Sequence, residues 1–123
     1  ALRDGVSGLQ FPGRVINHDI SSDVLTGMGI QVDDEIVVTG DHDVVLATGD
    51  TFVADVAARA ALAVRASLVD MEGFAIAWAC RQARVPVAFV KHVSDNADTT
   101  ALSWPDLVDA SARELGTWLA ENL

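Results

Sequence analysis

The sequence is short of three things, and each shortage excludes something. It has one cysteine, Cys80, so it holds neither an internal disulfide framework nor a multi-cysteine metal site. It is poor in cations: 8 Lys plus Arg stand against 18 Asp plus Glu, a formal net charge of −10. Affinity for nucleic acid comes largely from cationic neutralisation of phosphates, so no DNA or RNA partner is expected. It also lacks any apolar run near the ~20 residues that cross a bilayer, and no basic stretch followed by an apolar one opens it. No membrane partner is expected, and cysteine usage points to a reducing cytoplasm. The three histidines do not show metal-ligand spacing, so neither metal nor cofactor is expected. What remains is a chain of 123 residues, 50% of them hydrophobic, enough for one domain with a real core.

No repeat, low-complexity tract or linker divides the chain. The first dozen residues, with Gly5, Gly8, Pro12 and Gly13, read as loop. Residues 14–17 read as a short strand ending at His18-Asp19. Ser21 or Ser22 caps a short helix through Leu25, stopped by Gly27 and Gly29. Residues 35–39 and 44–47 read as strands joined by the turn Gly40-Asp41-His42-Asp43, which predicts a hairpin with His42 in its turn. An Ala-rich helix is expected over residues 52–66 and a short apolar strand over 67–69. A helix apolar on nearly every side follows over 73–83, and is expected to be buried. Residues 85–93 read as one long strand covered on both faces. Ser103 then caps a helix to Glu121 whose inner stripe is Leu107, Val108, Ser111, Leu115, Trp118 and Leu119. Alternating strands and helices argue for an α/β fold of three layers, a mixed, largely parallel sheet flanked by helices.

Three apolar strands end in acid-bearing clusters: Thr48-Gly49-Asp50, Asp70-Met71-Glu72 and Ser94-Asp95. A parallel sheet puts such ends at one edge, and open α/β sheets bind ligands outside the carboxyl ends of their strands. One pocket is therefore expected, rich in carboxylates and floored by apolar strands. No Gly-x-Gly-x-x-Gly or P-loop motif occurs, which argues against a dinucleotide or a P-loop phosphate cradle.

Within these clusters each residue has a chemical and an ordinary reading. A carboxyl closing a buried strand, as Asp95 does, loses solvation and holds a proton more readily. An unshifted Asp is protonated about once in a thousand at pH 7, a deficit of roughly 4 kcal/mol for acid catalysis. The ordinary alternative for Asp95 is a cap on backbone N–H groups. Glu72 is either a site carboxylate or a first-turn residue complementing a helix dipole. Asp70 reads as structural, Met71 and Phe52 as core packing, His18-Asp19 as a loop hydrogen-bonding pair, His92 as a satisfied core histidine and Cys80 as an inert buried thiol.

Ala47-Thr48-Gly49-Asp50-Thr51-Phe52-Val53, Val69-Asp70-Met71-Glu72-Gly73 and Val93-Ser94-Asp95-Asn96-Ala97-Asp98, in that order, resemble the 5′-methylthioadenosine/S-adenosylhomocysteine nucleosidases of the purine nucleoside phosphorylase-like superfamily. Asn17-His18-Asp19 also looks like the His-Asp that follows an earlier strand there. The resemblance covers most of this chain but only the second half of a typical member. It implies cleavage of the bond between purine and ribose by water, through an oxocarbenium-like transition state. It makes Asp95 the acid at the purine's imidazole-ring nitrogen, with Ser94 orienting it, and Glu72 the carboxylate on the ribose hydroxyls. Met71 would pack on the ribose, Phe52 stack on the purine, and the backbone of Val53 read the base edge. It implies a homodimer, and a purine nucleoside as the small-molecule partner.

The sequence departs from the pattern at Asp70, where Glu is common, and at Lys91-His92, where Arg and a small residue are common. The family's first strands, a Gly-rich turn and the Glu that activates water have no counterpart. Residues 1–123 are thus expected to be the C-terminal portion of a single domain in a longer enzyme. Three alternatives stay open: a phosphorylase of the same fold, an acidic receiver-like signalling module, and a non-catalytic nucleoside-binding protein.

Overall fold

A computed structural model of the chain describes residues 1–19, 27–28 and 35–123. The helix expected from Ser21 or Ser22 to Leu25 lies outside the described residues. The elements are β1 (Leu9–Gln10), β2 (Pro12–Asn17), β3 (Glu35–Val37), β4 (Asp41–Thr48), α1 (Val56–Ala63), β5 (Leu68–Asp70), α2 (Gly73–Gln82), β6 (Lys91–His92), a 3-10 turn (Thr99–Ser103) and α3 (Trp104–Asn122). Four strands form one sheet in the order β3-β2-β4-β5, with β2, β4 and β5 parallel and β3 antiparallel to β2. The mixed, largely parallel sheet is as expected.

Strand β4 shows why the fold has three layers. Side chains alternate along a strand, so Val45 and Ala47 point to one face and Leu46 to the other. On the first face they join Ile16, Val53 and Ala66, with Ala58, Leu62 and Ala63 of the α1 region packed over them. On the second face Leu46 joins Val15, Ile36, Leu68, Ala77 and Phe89, covered by Phe74 and Trp78 of α2. Leu46 is fully buried, and each such side chain contributes about 2 kcal/mol by leaving water.

Three expectations of local structure are corrected. Residues 35–39 and 44–47 do not form a hairpin: β2 lies between β3 and β4 and pairs with both. The supposed turn at residues 41–43 is instead the start of β4, where Asp41 is the register partner of Pro12. Closeness in sequence favours a hairpin, but the apolar residues 15 and 16 of β2 make it the central strand, buried on both faces.

Nor is the segment 85–93 one long strand covered on both faces. It pairs piecewise: Ala88 bridges Thr39, Lys91–His92 pair antiparallel with β1, and Val85 is 54% exposed. Pro86 has no amide to give a ladder. The N-terminal dozen residues, read as loop, supply β1 for this pairing.

Helix α2 is half-buried rather than buried. Gly73 and Ala77 are enclosed, while Ile76 is exposed. The helix stops because Arg84 turns left-handed (φ 57°), with the Arg84 and Val85 amides donating to Arg81 and Cys80 carbonyls at 3.1 and 2.9 Å. Helix α1 begins later than expected, at Val56, since Asp55 caps it by accepting from the Ala58 amide at 2.8 Å. Phe52 therefore lies in the loop before α1. In α3, Ser111 is buried as predicted, but Leu107, Val108 and Leu119 are partly open, because the helix leans chiefly on β6 and the 3-10 turn. The Ser103 side chain, expected to cap α3, lies outside the described residues.

Candidate active site

The register of the sheet builds the site. Asn17, Thr48 and Asp70, the last residues of β2, β4 and β5, are paired neighbours in one row. The three parallel strands therefore end at one level, and the loops beyond them share one edge. A cavity of about 370 Å³ opens there, lined by residues 51–53, 69–72 and 94–95. That volume suits a small organic ligand.

Asp70 organises the floor. Its Oδ1 accepts from the Thr48 hydroxyl at 2.5 Å, and its Oδ2 accepts from the Gly73 amide at 3.0 Å. The Thr48 oxygen in turn accepts from the Phe74 amide at 3.0 Å. Two of the first amides of α2 are thus satisfied by β4 and β5 side chains, which fixes the helix start against the strand ends. Gly73 is required for this approach, since a β carbon there would lie 2.6 Å from Asp70 Oδ2 and 2.8 Å from Leu46 Cδ2.

Glu72 stands at the N-terminus of α2 but makes no side-chain bond to that helix. It turns to Lys91, whose Nζ lies 2.8 Å from Glu72 Oε1 and 3.1 Å from Asp70 Oδ2. The Lys91 hydrogen bond holds the Glu72 carboxyl below its ordinary range, against a weaker opposing effect of burial. For Lys91 itself, burial works to lower the pKa. The hydrogen bonds and charges of Glu72 and Asp70 together outweigh it and leave the ammonium above its ordinary value. Glu72 is therefore a fixed anion at neutral pH, on the cavity wall.

Asp95 is held differently. Its Oδ2 accepts from the Ser94 hydroxyl at 2.9 Å and its Oδ1 from the Ala97 amide at 2.8 Å. Ala97 is buried with φ 55°, a conformation rare without glycine, so the turn after Asp95 is under strain. The cap reading and the cavity reading of Asp95 coexist: one oxygen closes the turn while the residue lines the cavity.

Phe52 and Met71 are each about half exposed at the cavity, and so are not the core packing of their ordinary reading. Val53 is buried. All six residues singled out, Phe52, Val53, Met71, Glu72, Ser94 and Asp95, come together here. His92 Nδ1 meets the Ser111 hydroxyl at 2.7 Å, tying β6 to α3. Sequence reasoning missed the task of Lys91, whose interruption of an apolar run was the available signal.

The model of the phosphorylase superfamily matches residues 15–120. The chain belongs to this superfamily. Among curated proteins it is 35% identical over 78 residues to the aminodeoxyfutalosine nucleosidase of Helicobacter pylori strain J99, a match spanning 61% of this chain and 34% of the relative. The chain thus spans about a third of the length of the curated relatives it matches.

Among solved structures it resembles the futalosine hydrolase of Helicobacter pylori strain 26695, with a TM-score of 0.81 at 23% identity, covering 97% of this chain and 61% of that one. It also resembles the Helicobacter pylori 5′-methylthioadenosine/S-adenosylhomocysteine nucleosidase, complexed with a pyrrolopyrimidine-bearing pyrrolidinol. There the TM-score is 0.76 at 23% identity, covering 98% of this chain and 64% of that one. These likenesses show the same fold and, with the superfamily match, remove the receiver-like alternative. Among the described residues no helix is long and apolar enough to cross a membrane.

Proposed function

We propose that this chain carries the base- and ribose-binding part of a nucleosidase that hydrolyses the N-glycosidic bond of an adenine-type nucleoside such as methylthioadenosine or S-adenosylhomocysteine. The observation that carries the reading is the convergence of residues 51–53, 69–72 and 94–95, at and beyond the ends of β4, β5 and β6, on one cavity of about 370 Å³.

Leaving-group activation falls to Asp95. Its carboxyl gives a proton, or a strong hydrogen bond, to the purine's imidazole-ring nitrogen as the bond to ribose breaks. Ser94 orients it through the hydroxyl already donated to Oδ2. The electron pair of the glycosidic bond leaves with the base, and the sugar becomes cationic. Glu72, held ionised by Lys91, faces that developing charge and receives the ribose hydroxyls, so it favours the transition state over the ground state. Water adds to the sugar carbon and gives up a proton, completing the hydrolysis. Phe52 stacks on the purine, Met71 packs against the ribose, and the backbone of Val53 meets the base edge. On this reading the residues belong to a single nucleosidase domain of a cytoplasmic homodimer, and its partner is a small purine nucleoside.

The names of the curated relatives add aminodeoxyfutalosine to the substrates worth testing. The experiment is purine release by the full-length protein from methylthioadenosine, S-adenosylhomocysteine and aminodeoxyfutalosine, with and without phosphate. Release from one of them in phosphate-free buffer is expected. A strict phosphate requirement would make the protein a phosphorylase. Binding without release from any of them would make it a nucleoside-binding protein.

A further inference from the structure

Asp19 follows β2 and takes no part in the chemistry above. Its Oδ2 nonetheless collects three donors from a loop 31 and 32 residues further along the chain. These are the Asp50 amide at 2.5 Å, the Thr51 amide at 3.1 Å and the Thr51 hydroxyl at 3.4 Å. Two successive backbone N–H groups aimed at one carboxylate oxygen make charge-assisted bonds, stronger than neutral ones.

The same loop is fixed on both sides just before this point. The His18 amide donates to the Thr48 carbonyl at 2.9 Å, and the Gly49 amide donates to the Asp70 carbonyl at 3.2 Å. Gly49 has no spare room: a β carbon there would run into the His18 ring and lie 2.6 Å from Asp19 Oδ2. Residues 48–51 are thus held one after another, and residues 51–53 immediately form a wall of the cavity. Phe52 in that wall is 46% exposed, so core packing does not fix it.

We infer that Asp19 is a positioning residue: by holding the Asp50 and Thr51 amides it sets the place of Phe52, and with it the affinity for the base rather than the rate of bond cleavage. This deepens the reading above and rests on its assignment of Phe52 to the base.

The test uses the full-length protein, with methylthioadenosine for kinetics and adenine for calorimetry. Asp19→Ala should raise KM and weaken adenine binding about tenfold, the loss of one charge-assisted anchor, while kcat changes less than about threefold. Asp19→Asn keeps an oxygen acceptor without the charge, and should recover most of the loss, leaving KM about threefold raised. Phe52→Ala should weaken adenine binding by itself. In the Asp19→Ala background it should add little, because two residues acting through one contact do not add.

A general loss of folding would lower kcat and leave KM unchanged, with the two substitutions additive, and that pattern overturns the inference. So do adenine affinity and KM within twofold of wild type in Asp19→Ala. Should Asp19→Ala not fold, an unchanged adenine affinity in Asp19→Asn overturns it equally. If no nucleoside is hydrolysed by the wild type yet adenine binds, and binds more weakly without Asp19, the positioning role stands and the hydrolytic reading falls.

Discussion

The two acidic strand ends facing the cavity are built from the same residue types and held in opposite ways. At the β5 end, Asp70 and Glu72 share the Lys91 ammonium at 3.1 and 2.8 Å, so two carboxyl groups face one cation. At the other end, the Asp95 side chain is gripped by neutral donors, the Ser94 hydroxyl and the Ala97 amide. A lasting anion suits the side of a reaction where positive charge grows. A carboxyl held in place by a hydroxyl and an amide suits, on the proposed function, the side where the departing base must be met by a directed hydrogen bond. On the proposed function, the contrast divides the labour by the partners of each carboxyl, not by Asp against Glu.

That contrast is open to breakage at several points. The largest effect is expected at Asp95. Asp95→Asn keeps an acceptor for the Ala97 amide but has no proton to give, so kcat for purine release should fall about 10³-fold, roughly 4 kcal/mol in the barrier. Melting temperature should stay near that of wild type. Full activity in this variant would take Asp95 out of the reaction.

Next comes Glu72→Gln, which removes the anion but not its length. A loss of about 10²-fold in kcat/KM is expected, about 2.7 kcal/mol of transition-state binding, read from steady-state kinetics on methylthioadenosine. Lys91→Met should then cost stability as well as activity. It leaves buried Asp70 without its cation, and about 2 kcal/mol should be lost in denaturant unfolding, less than for a fully enclosed pair because Asp70 keeps the Thr48 and Gly73 donors.

The smallest effect is the pH dependence of the Lys91–Glu72 pair. Glu72 lies below its ordinary 4.5, so its contribution to stability is complete above that pH and is lost as the pH falls through the lowered value. Lys91 lies above its ordinary 10.5, so its contribution is complete below that pH and is lost as the pH rises through the raised value. Thermal denaturation of wild type and Lys91→Met should therefore differ by a constant amount from about pH 5 to 10 and converge on the acid side. Since Glu72 is more than half exposed, its share is under about 1 kcal/mol.

Much of this was legible in the sequence, for a physical reason. Apolar strands at 44–47 and 67–69 announce themselves by composition, and parallel pairing brings their polar ends to one edge, so two walls of the cavity follow from strand order; the Ser94–Asp95 wall does not, since β6 lies outside the four-stranded sheet and pairs antiparallel with β1. What was not legible depends on contacts between residues far apart in the chain. The choice of β2 over β4 as the partner of β3 is such a contact, since a hairpin and an inserted central strand leave the same local pattern. Lys91 reaches carboxylates 19 and 21 positions earlier, and nothing beside it announces them. Asp19 likewise read as a loop pair with His18, whereas its donors lie beyond residue 49. The open face of α2 misled in the other direction, because apolar residues all round predict burial that Ile76 does not have.

The most direct measurement is a crystal structure of the full-length protein with adenine bound. The account predicts the purine stacked on Phe52 with its imidazole-ring nitrogen about 2.8 Å from the Asp95 carboxyl and Glu72 still on Lys91, facing the space left for ribose. Adenine seated away from Phe52, or with Asp95 out of hydrogen-bond reach of the ring, would contradict it.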